Sequence, residues 1–322
     1  MPKDVAMRVA LVGLGDIGLS AHLPALQRHP AIELVQLVDP DPDRRAAVAE
    51  LDIQVAAELE AGVDGVVLAT PPWVTPELTV DYTRAGLFVL AEKPVATSME
   101  AARIYDKLEP AERGRVQVGL TYRHDPAIGQ LATWIANGTL GETVLVRAHI
   151  YDEPYRPDDA EHTARITATL EHGSPVVHEG AHVFDWLTHL LGGRPIAVDD
   201  RWAVRTRAGL PAPNLTGARL SYPGGHQALV EFGWFTSALP RCELSVLGDR
   251  GLATLDGFTF ALTLTTAESE EVVRFPGDRM TRCFDRQLDR FVALHNGVPA
   301  EPSLDDGIAA LRTAQLVAGR AE

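Results

Sequence analysis

Residues 13–18 read Gly13-Leu14-Gly15-Asp16-Ile17-Gly18 and follow directly on a short apolar run, Arg8-Val9-Ala10-Leu11-Val12. This G-x-G-x-x-G pattern constrains the fold more than any other part of the chain. The first glycine permits a tight turn from strand to helix. The second lets a pyrophosphate approach the backbone, and the third lets the helix pack closely on the strand. The start of that helix, around Asp16 and Ile17, offers unpaired N–H groups to an anion. Asp39 closes the next apolar run, 21 residues beyond Gly18. An acidic residue at that distance bonds the adenosine ribose. Its carboxylate repels a 2′-phosphate, so NAD is expected over NADP. Arg44 and Arg45 stand near enough to soften the preference.

Further apolar runs at 34–38, 65–69, 87–91 and 116–120 alternate with segments of helical character at 20–29, 42–50, 75–86 and 98–109. Near-continuous apolar runs of this length are strands buried on both faces, hence parallel. Ser98 suits an N-cap, and Gly86 suits the end of its helix. The alternation implies a doubly wound α/β sheet, a Rossmann domain over residues 1–121.

Beyond residue 122 the pattern changes. A helix is expected at 125–137 and a strand at 143–150. Residues 152–172 carry Pro154 and Pro157 and show no clear period. They read as an irregular connection, long enough to cover a substrate. A helix at 175–191 ends at Gly192-Gly193. From 196 to 275, strand-like runs are separated by turn residues, which predicts hairpins. Helices at 279–295 and 303–319 follow. The second domain, 122–322, is therefore expected to be α+β with a large open, mostly antiparallel sheet. A length of 322 residues suits two domains at about 150 residues each.

Composition narrows the function. Lys and Arg number 29 against 44 Asp and Glu, a formal charge of −15. Such acidity excludes nucleic acid as the main partner and docking on an anionic membrane. The hydrophobic share of 46% excludes a wholly disordered chain. No apolar run approaches the ~20 residues of a membrane span. The polar start, residues 1–7, does not read as a signal peptide. Cys242 and Cys283 lie outside any C-x-x-C pair and read as packing residues. A cytoplasmic setting is expected, in which the acceptor-like Asn137-Gly138-Thr139 carries no meaning.

Ala91-Glu92-Lys93-Pro94 ends the run at 87–91. The carboxyl edge of a parallel sheet is where ligands bind. By itself the tetrapeptide fits both a cofactor-crevice lysine and a surface lysine beside a turn proline.

Together these features resemble the Gfo/Idh/MocA oxidoreductase family. The likeness runs through Gly13 to Gly18, Thr70-Pro71-Pro72, Glu92-Lys93-Pro94, Tyr122-Arg123-His124-Asp125-Pro126, Gly138-Thr139-Leu140-Gly141 and the segment from Val177 to Gly192. It implies a Rossmann domain followed by a sheet domain that often forms homodimers or homotetramers. It implies a dehydrogenase or reductase using NAD or NADP on a secondary alcohol of a sugar, cyclitol or derivative, a small polyol-like substrate. Cofactor contacts would come from Gly13, Gly15, Asp16, Ile17, Gly18, Asp39, Thr70, Pro71, Pro72, Glu92 and Lys93. Lys93 would lie near substrate and nicotinamide. Tyr122 and Arg123 become substrate-contact candidates, although a packing tyrosine and an arginine in an interdomain ion pair fit equally well.

His178, His182, Asp185 and His189 fall at i, i+4, i+7 and i+11, along one face of a helix. The family pattern here is D-x-G-x-H-x-x-D; this chain reads His178-Glu179-Gly180-Ala181-His182-Val183-Phe184-Asp185. His182 matches the family histidine and suits general acid–base work, since its ordinary pKa is near 6.5. His178 stands where the family has Asp. It is expected to relay a proton or bind substrate, and it points to an unusual substrate. Lys93, His182 and His178 are thus the catalytic candidates, with His178 and His182 also contacting substrate. Asp185 and His189 are expected to be structural.

The same segment spells H-E-x-x-H, a zinc-hydrolase signature. Position 188 is Thr and the next Glu is Glu231, in a strand-like run, so no third ligand is spaced correctly and no metal is expected. Two further alternatives share the fold. One uses NAD redox transiently for elimination or glycoside cleavage; the other is a non-catalytic NAD-binding regulator. His22 reads as a core or cap residue, and Trp73 as a residue able to flank the cofactor.

Overall fold

A computed structural model describes residues 6–236 and 242–319. Residues 1–5, most of the polar start, lie outside the described residues. The chain divides into two units.

The first unit runs to Thr121 and takes up Met280–Ile308. Its six strands are β1 Met7–Val12, β2 Ile32–Val38, β3 Gln54–Ala56, β4 Gly65–Leu68, β5 Phe88–Glu92 and β6 Val116–Gly119. They pair in the order β3-β2-β1-β4-β5-β6, all parallel. The order reverses between β1 and β4, the switch point at which dinucleotides bind in such sheets. β4 and β6 are buried along their whole length, as their apolar composition requires. β3 was not foreseen: it has three residues, none fully buried, and gives no apolar run to read.

Several helices are shorter than their sequence suggests. The segment at 42–50 forms only Pro42–Ala46. The segment at 98–109 divides into Met99–Ala102 and a 3₁₀ turn, Arg103–Lys107. Ser98 caps the former, its Oγ accepting the Ala101 N–H at 3.1 Å. After Gly18 the chain makes a π turn, Gly18–His22, and continues as the helix Leu23–Arg28.

The sequence reading placed all of 122–322 in one domain, but Met280–Ile308 packs with the first unit. Phe284, Leu288, Phe291 and Leu294, on one face of the helix Arg279–His295, join a core with Met7, Val9, Leu11 and Leu90. Burying each such side chain contributes roughly 1.5–3 kcal/mol. Downstream, the Val118 N–H donates to the Pro302 carbonyl at 2.9 Å, so the β6 edge is paired.

The second unit is Tyr122–Arg279 with the segment from Ala309 onward. Its strands are β7 Leu145–Glu153, β8 Ala197–Val204, β9 Leu215–Ser221, β10 Gln227–Trp234, β11 Glu243–Leu247, β12 Gly251–Asp256, β13 Leu262–Thr266 and β14 Glu270–Val273. The sheet order is β14-β13-β12-β11-β7-β10-β9-β8. Only β7 and β10 pair in parallel; the other neighbours are antiparallel. The helices Pro126–Ala136 and Gly180–Leu190 contribute Leu131, Phe184 and Leu187 to a core with Val146, Val230, Phe232 and Leu255. Cross-strand register places the exposed Trp202, Val204, Leu229, Leu247 and Val272 together on the opposite face.

Two expectations are corrected here. Residues 152–172 are not irregular throughout: Ala160–His172 is a helix. Asp159 caps it, accepting the His162 N–H at 2.9 Å. Its buried stripe is only His162, Ile166 and Leu170, too sparse to show a period. The helix at 175–191 is interrupted at Glu179, giving Pro175–His178 and Gly180–Leu190. No described helix is long and apolar enough to cross a membrane.

Candidate functional site

The glycine turn has the geometry its spacing requires. Gly13 takes φ +97°, and a Cβ there would lie 2.4 Å from the Ala69 carbonyl oxygen. A Cβ on Gly18 would lie 2.3 Å from the Gly13 oxygen. Neither position admits a side chain. Gly15 differs: the nearest atom to its Cβ position is Arg44 Nη1 at 3.8 Å, so its flank is open. A phosphate can therefore reach the backbone at Gly15, while Gly13 and Gly18 hold strand and helix together. Asp16 and Ile17 are exposed at the head of the helix.

Asp39 is buried at the end of β2. Its Oδ2 accepts the Leu14 N–H at 2.8 Å and its Oδ1 accepts the Asp41 N–H at 2.9 Å. These bonds lock the carboxylate toward a cavity of about 700 Å³ lined by Gly13, Asp39, Arg44, Thr70, Pro71, Val74 and Tyr82, among others. Arg44 Nη1 lies 3.5 Å from Asp39 Oδ2. Arg45 turns away and donates to the Asp39 and Pro40 carbonyls, each at 2.7 Å. Burial, with Asp81 and Glu58 nearby, pushes the Tyr82 hydroxyl up, so it stays protonated as a donor. An open backbone flank, a fixed carboxylate and a largely apolar recess fit the pyrophosphate, ribose and base of a dinucleotide. Pro72 and Trp73 do not line this cavity; Trp73 is exposed.

Glu92 and Lys93 end β5. Glu92 is buried and turned inward, its Oε1 2.8 Å from His22 Nε2. Its Oε2 accepts the Lys93 backbone N–H at 3.0 Å. Lys93 is half-buried.

In the second unit, the interruption at Glu179 separates the surroundings of the two histidines. His178 stacks on Trp234, ring centroids 5.4 Å apart at 24°. His182 packs on Tyr122 at 4.6 Å and lies nearly parallel to Trp186 at 6.4 Å. Tyr122, His182 and Trp186 line a cavity of about 120 Å³ with Asp152, Glu179, Cys242 and Arg279. His178 is not among its lining residues. The Arg279 guanidinium lies 4.6 Å from the Tyr122 ring centroid and 5.0 Å from that of Phe260. It also donates to the Gly257 carbonyl at 2.7 Å. Burial pushes the Cys242 thiol up, and its Sγ lies 3.4 Å from both the Tyr151 N and O, which suits a packing residue.

Arg123 makes a two-pronged ion pair with Asp185, Nε to Oδ2 at 2.9 Å and Nη2 to Oδ1. Both side chains are nearly buried, and both residues belong to the second unit, so the ion pair of Arg123 is not the interdomain one expected. Asp185 thus has a structural partner, and His189 is exposed. Among the described residues no group of three or more His, Cys, Asp or Glu is placed to hold a metal.

Sequence reasoning gave no site role to Asp152, Glu179, Trp186 and Arg279. Trp186 carried a local signal at i+4 from His182, and Glu179 another at i−3, inside the H-E-x-x-H segment. Asp152 and Arg279 reach the cavity from separate elements, which no local spacing encodes.

The sequence profile of Gfo/Idh/MocA, an oxidoreductase family with an NAD-binding Rossmann fold, matches residues 7–120. That of the family's C-terminal domain matches residues 128–254. The chain is 32% identical over 270 residues to inositol 2-dehydrogenase 4 of Saccharopolyspora erythraea, covering 77% of this chain and 75% of the relative. It is 29% identical over 318 residues to the rhizopine catabolism protein MocA of Rhizobium meliloti, covering 96% and 93%. The crystal structure of myo-inositol 2-dehydrogenase from Lactobacillus plantarum shares the fold at a TM-score of 0.81 and 21% identity, over 98% of this chain and 97% of that one.

Proposed function

The chain belongs to the Gfo/Idh/MocA family of NAD(P)-dependent oxidoreductases, and from that premise we propose that it oxidises or reduces one secondary alcohol of a cyclitol or sugar-like polyol, with NAD preferred. The observation that carries this reading is the open flank of Gly15 beside the fixed carboxylate of Asp39. The names of its relatives, inositol 2-dehydrogenases among them, support a cyclitol ring as the substrate class.

The nicotinamide, when bound, supplies the hydride chemistry. The chain's own residues supply the rest. Backbone N–H groups from Gly15 onward, at the start of the turn that leads into the helix, would hold the pyrophosphate; those of Gly13 and Leu14 are donated to Val38 and Asp39. Asp39 accepts the ribose hydroxyls and, being negative, disfavours a 2′-phosphate; Arg44 tempers that effect. His182 takes the hydroxyl proton at a ring nitrogen during oxidation and returns it during reduction. Its packing on Tyr122 and Trp186 fixes the ring plane. We assign Lys93 the positive charge that supports the reacting oxygen, and His178 a substrate hydrogen bond or a relay step. Tyr122 remains a substrate-contact candidate. Arg123, already paired with Asp185, acts by holding that wall in place.

Self-association as a homodimer or homotetramer belongs to the same reading. The exposed Trp202, Val204, Leu229, Leu247 and Val272 share one sheet face, an apolar surface of the kind that partners cover.

The test is NADH binding followed by a panel of inositols, sugars and sugar acids, read by nicotinamide absorbance. Turnover that falls at least a hundredfold in Lys93→Ala and His182→Ala, with NADH still bound by the His182 variant, supports the assignment. Absence of binding to either NADH or NADPH overturns it.

A further inference from the structure

The first unit buries an ionisable pair that the proposed chemistry does not use. His22 is 0% exposed and Glu92 8%. A buried carboxylate is costly unless its oxygens are satisfied. Here each has a donor: Oε1 faces His22 Nε2 at 2.8 Å, and Oε2 accepts the Lys93 N–H at 3.0 Å. The surroundings are tight. A Cβ on Gly119 would lie 2.9 Å from the Glu92 carboxyl, and Phe284 meets the imidazole edge-on at 4.9 Å. Among the described residues, His22 Nδ1 has no hydrogen-bond partner. A proton there would be a buried unsatisfied donor, so the tautomer that fits carries its proton on Nε2. His22 also closes the π turn Gly18–His22, a local geometry that concentrates at functional sites.

We propose that His22 is a positioning residue for Lys93, acting through Glu92. The imidazole donates to Oε1 and so fixes the plane of the carboxylate. Oε2 then holds the peptide N–H that leads into Lys93. In this way the helix that follows the glycine turn sets the placement of the lysine at the end of β5. The functional weight of this arrangement rests on the assignment of Lys93 above, but its geometry is testable without a substrate.

The experiment compares the full chain with His22→Gln, His22→Leu and Glu92→Gln. Hydrogen exchange at the Lys93 amide, ¹⁵N shifts of the His22 ring, thermal midpoint and NADH fluorescence are recorded for each. A Gln amide nitrogen reaches the place of Nε2, so His22→Gln retains slow Lys93 exchange. His22→Leu, which fills the space without a donor, accelerates it about tenfold or more while the Leu37 and Val67 amides stay protected. The parent ring shows protonated Nε2. In Glu92→Gln the side-chain amide meets Nε2, and the proton moves to Nδ1. Equal exchange in His22→Gln and His22→Leu, or an unprotonated Nε2 in the parent, overturns the proposal. Should His22→Leu fail to fold, the ring shifts of Glu92→Gln decide: inversion supports the proposal, and an unchanged pattern overturns it. A parent protein that binds no NADH refutes the functional reading and leaves the Lys93 exchange comparison intact.

Discussion

The imidazole of His178 lies on the indole of Trp234, centroids 5.4 Å apart and planes 24° from parallel. The indole N–H in turn donates to Asp152 Oδ1 at 2.8 Å. Asp152 lines the cavity that also holds His182. His178 is thus linked to the cavity through a tryptophan on β10. His178→Asp is expected to leave NADH affinity unchanged and to shift kcat/KM among polyols by more than tenfold, or about 1.4 kcal/mol. A flat profile across the panel would remove His178 from substrate recognition. Trp234→Ala is expected to cost about 3–5 kcal/mol in urea unfolding, because a buried indole leaves a large cavity.

Asp39 governs cofactor choice in this reading. Asp39→Asn keeps one acceptor oxygen, for either the Leu14 or the Asp41 N–H, and loses the charge. The ratio of NADPH to NADH dissociation constants is expected to fall about tenfold. Fluorescence titration with both nucleotides measures it. An unchanged ratio would mean that Asp39 does not face the 2′ position.

Arg123 and Asp185 form a buried pair, their side chains 9% and 1% exposed. Removing one partner strands the other charge. Asp185→Ala should therefore lose about 3–5 kcal/mol of stability. Arg123→Met combined with Asp185→Leu should recover much of that loss. Urea midpoints of the two variants give the comparison, and a mild effect of the single variant would mark the pair as solvated.

His226 offers a pH-dependent contribution. Burial holds its pKa below the ordinary 6.5, and its Nδ1 accepts the Val144 N–H at 3.2 Å. The unfolded chain takes up a proton more readily, so stability falls as pH drops below 6.5 toward the lowered folded value. His226→Asn should flatten the pH dependence of the urea midpoint below about pH 6.5. A slope identical to that of the parent would show that other groups carry it.

Much of the first unit was legible because its constraints are local. Gly13 turns at a φ of +97° that favours glycine, Gly18 is excluded from carrying a side chain by the Gly13 carbonyl five residues before it, and a run such as 65–68 has the apolar composition of a strand buried on both faces. β3 and the helix Ala160–His172 were missed because partly buried three-residue strands and sparse buried stripes leave weak periods. The role of Met280–Ile308 was hidden for a different reason. An amphipathic helix shows that it has an apolar face, not which sheet will cover it.

The candidate site divides along the same line. Spacing identified the residues that belong to the glycine turn, but it set His178 and His182 along one helix face, whereas the interruption at Glu179 puts them on separate helices with different ring partners. The strand–turn–helix cradle and the acidic residue at the end of β2 could be read without coordinates, because apolar runs, turn glycines and chain direction act within a few tens of residues. Which aromatic ring each histidine meets, the pairing of Arg123 with Asp185 and the inward turn of Glu92 to His22 came from the folded arrangement alone. Those contacts join side chains far apart in sequence, and packing selects them through the joint burial of elements that carry no record of one another.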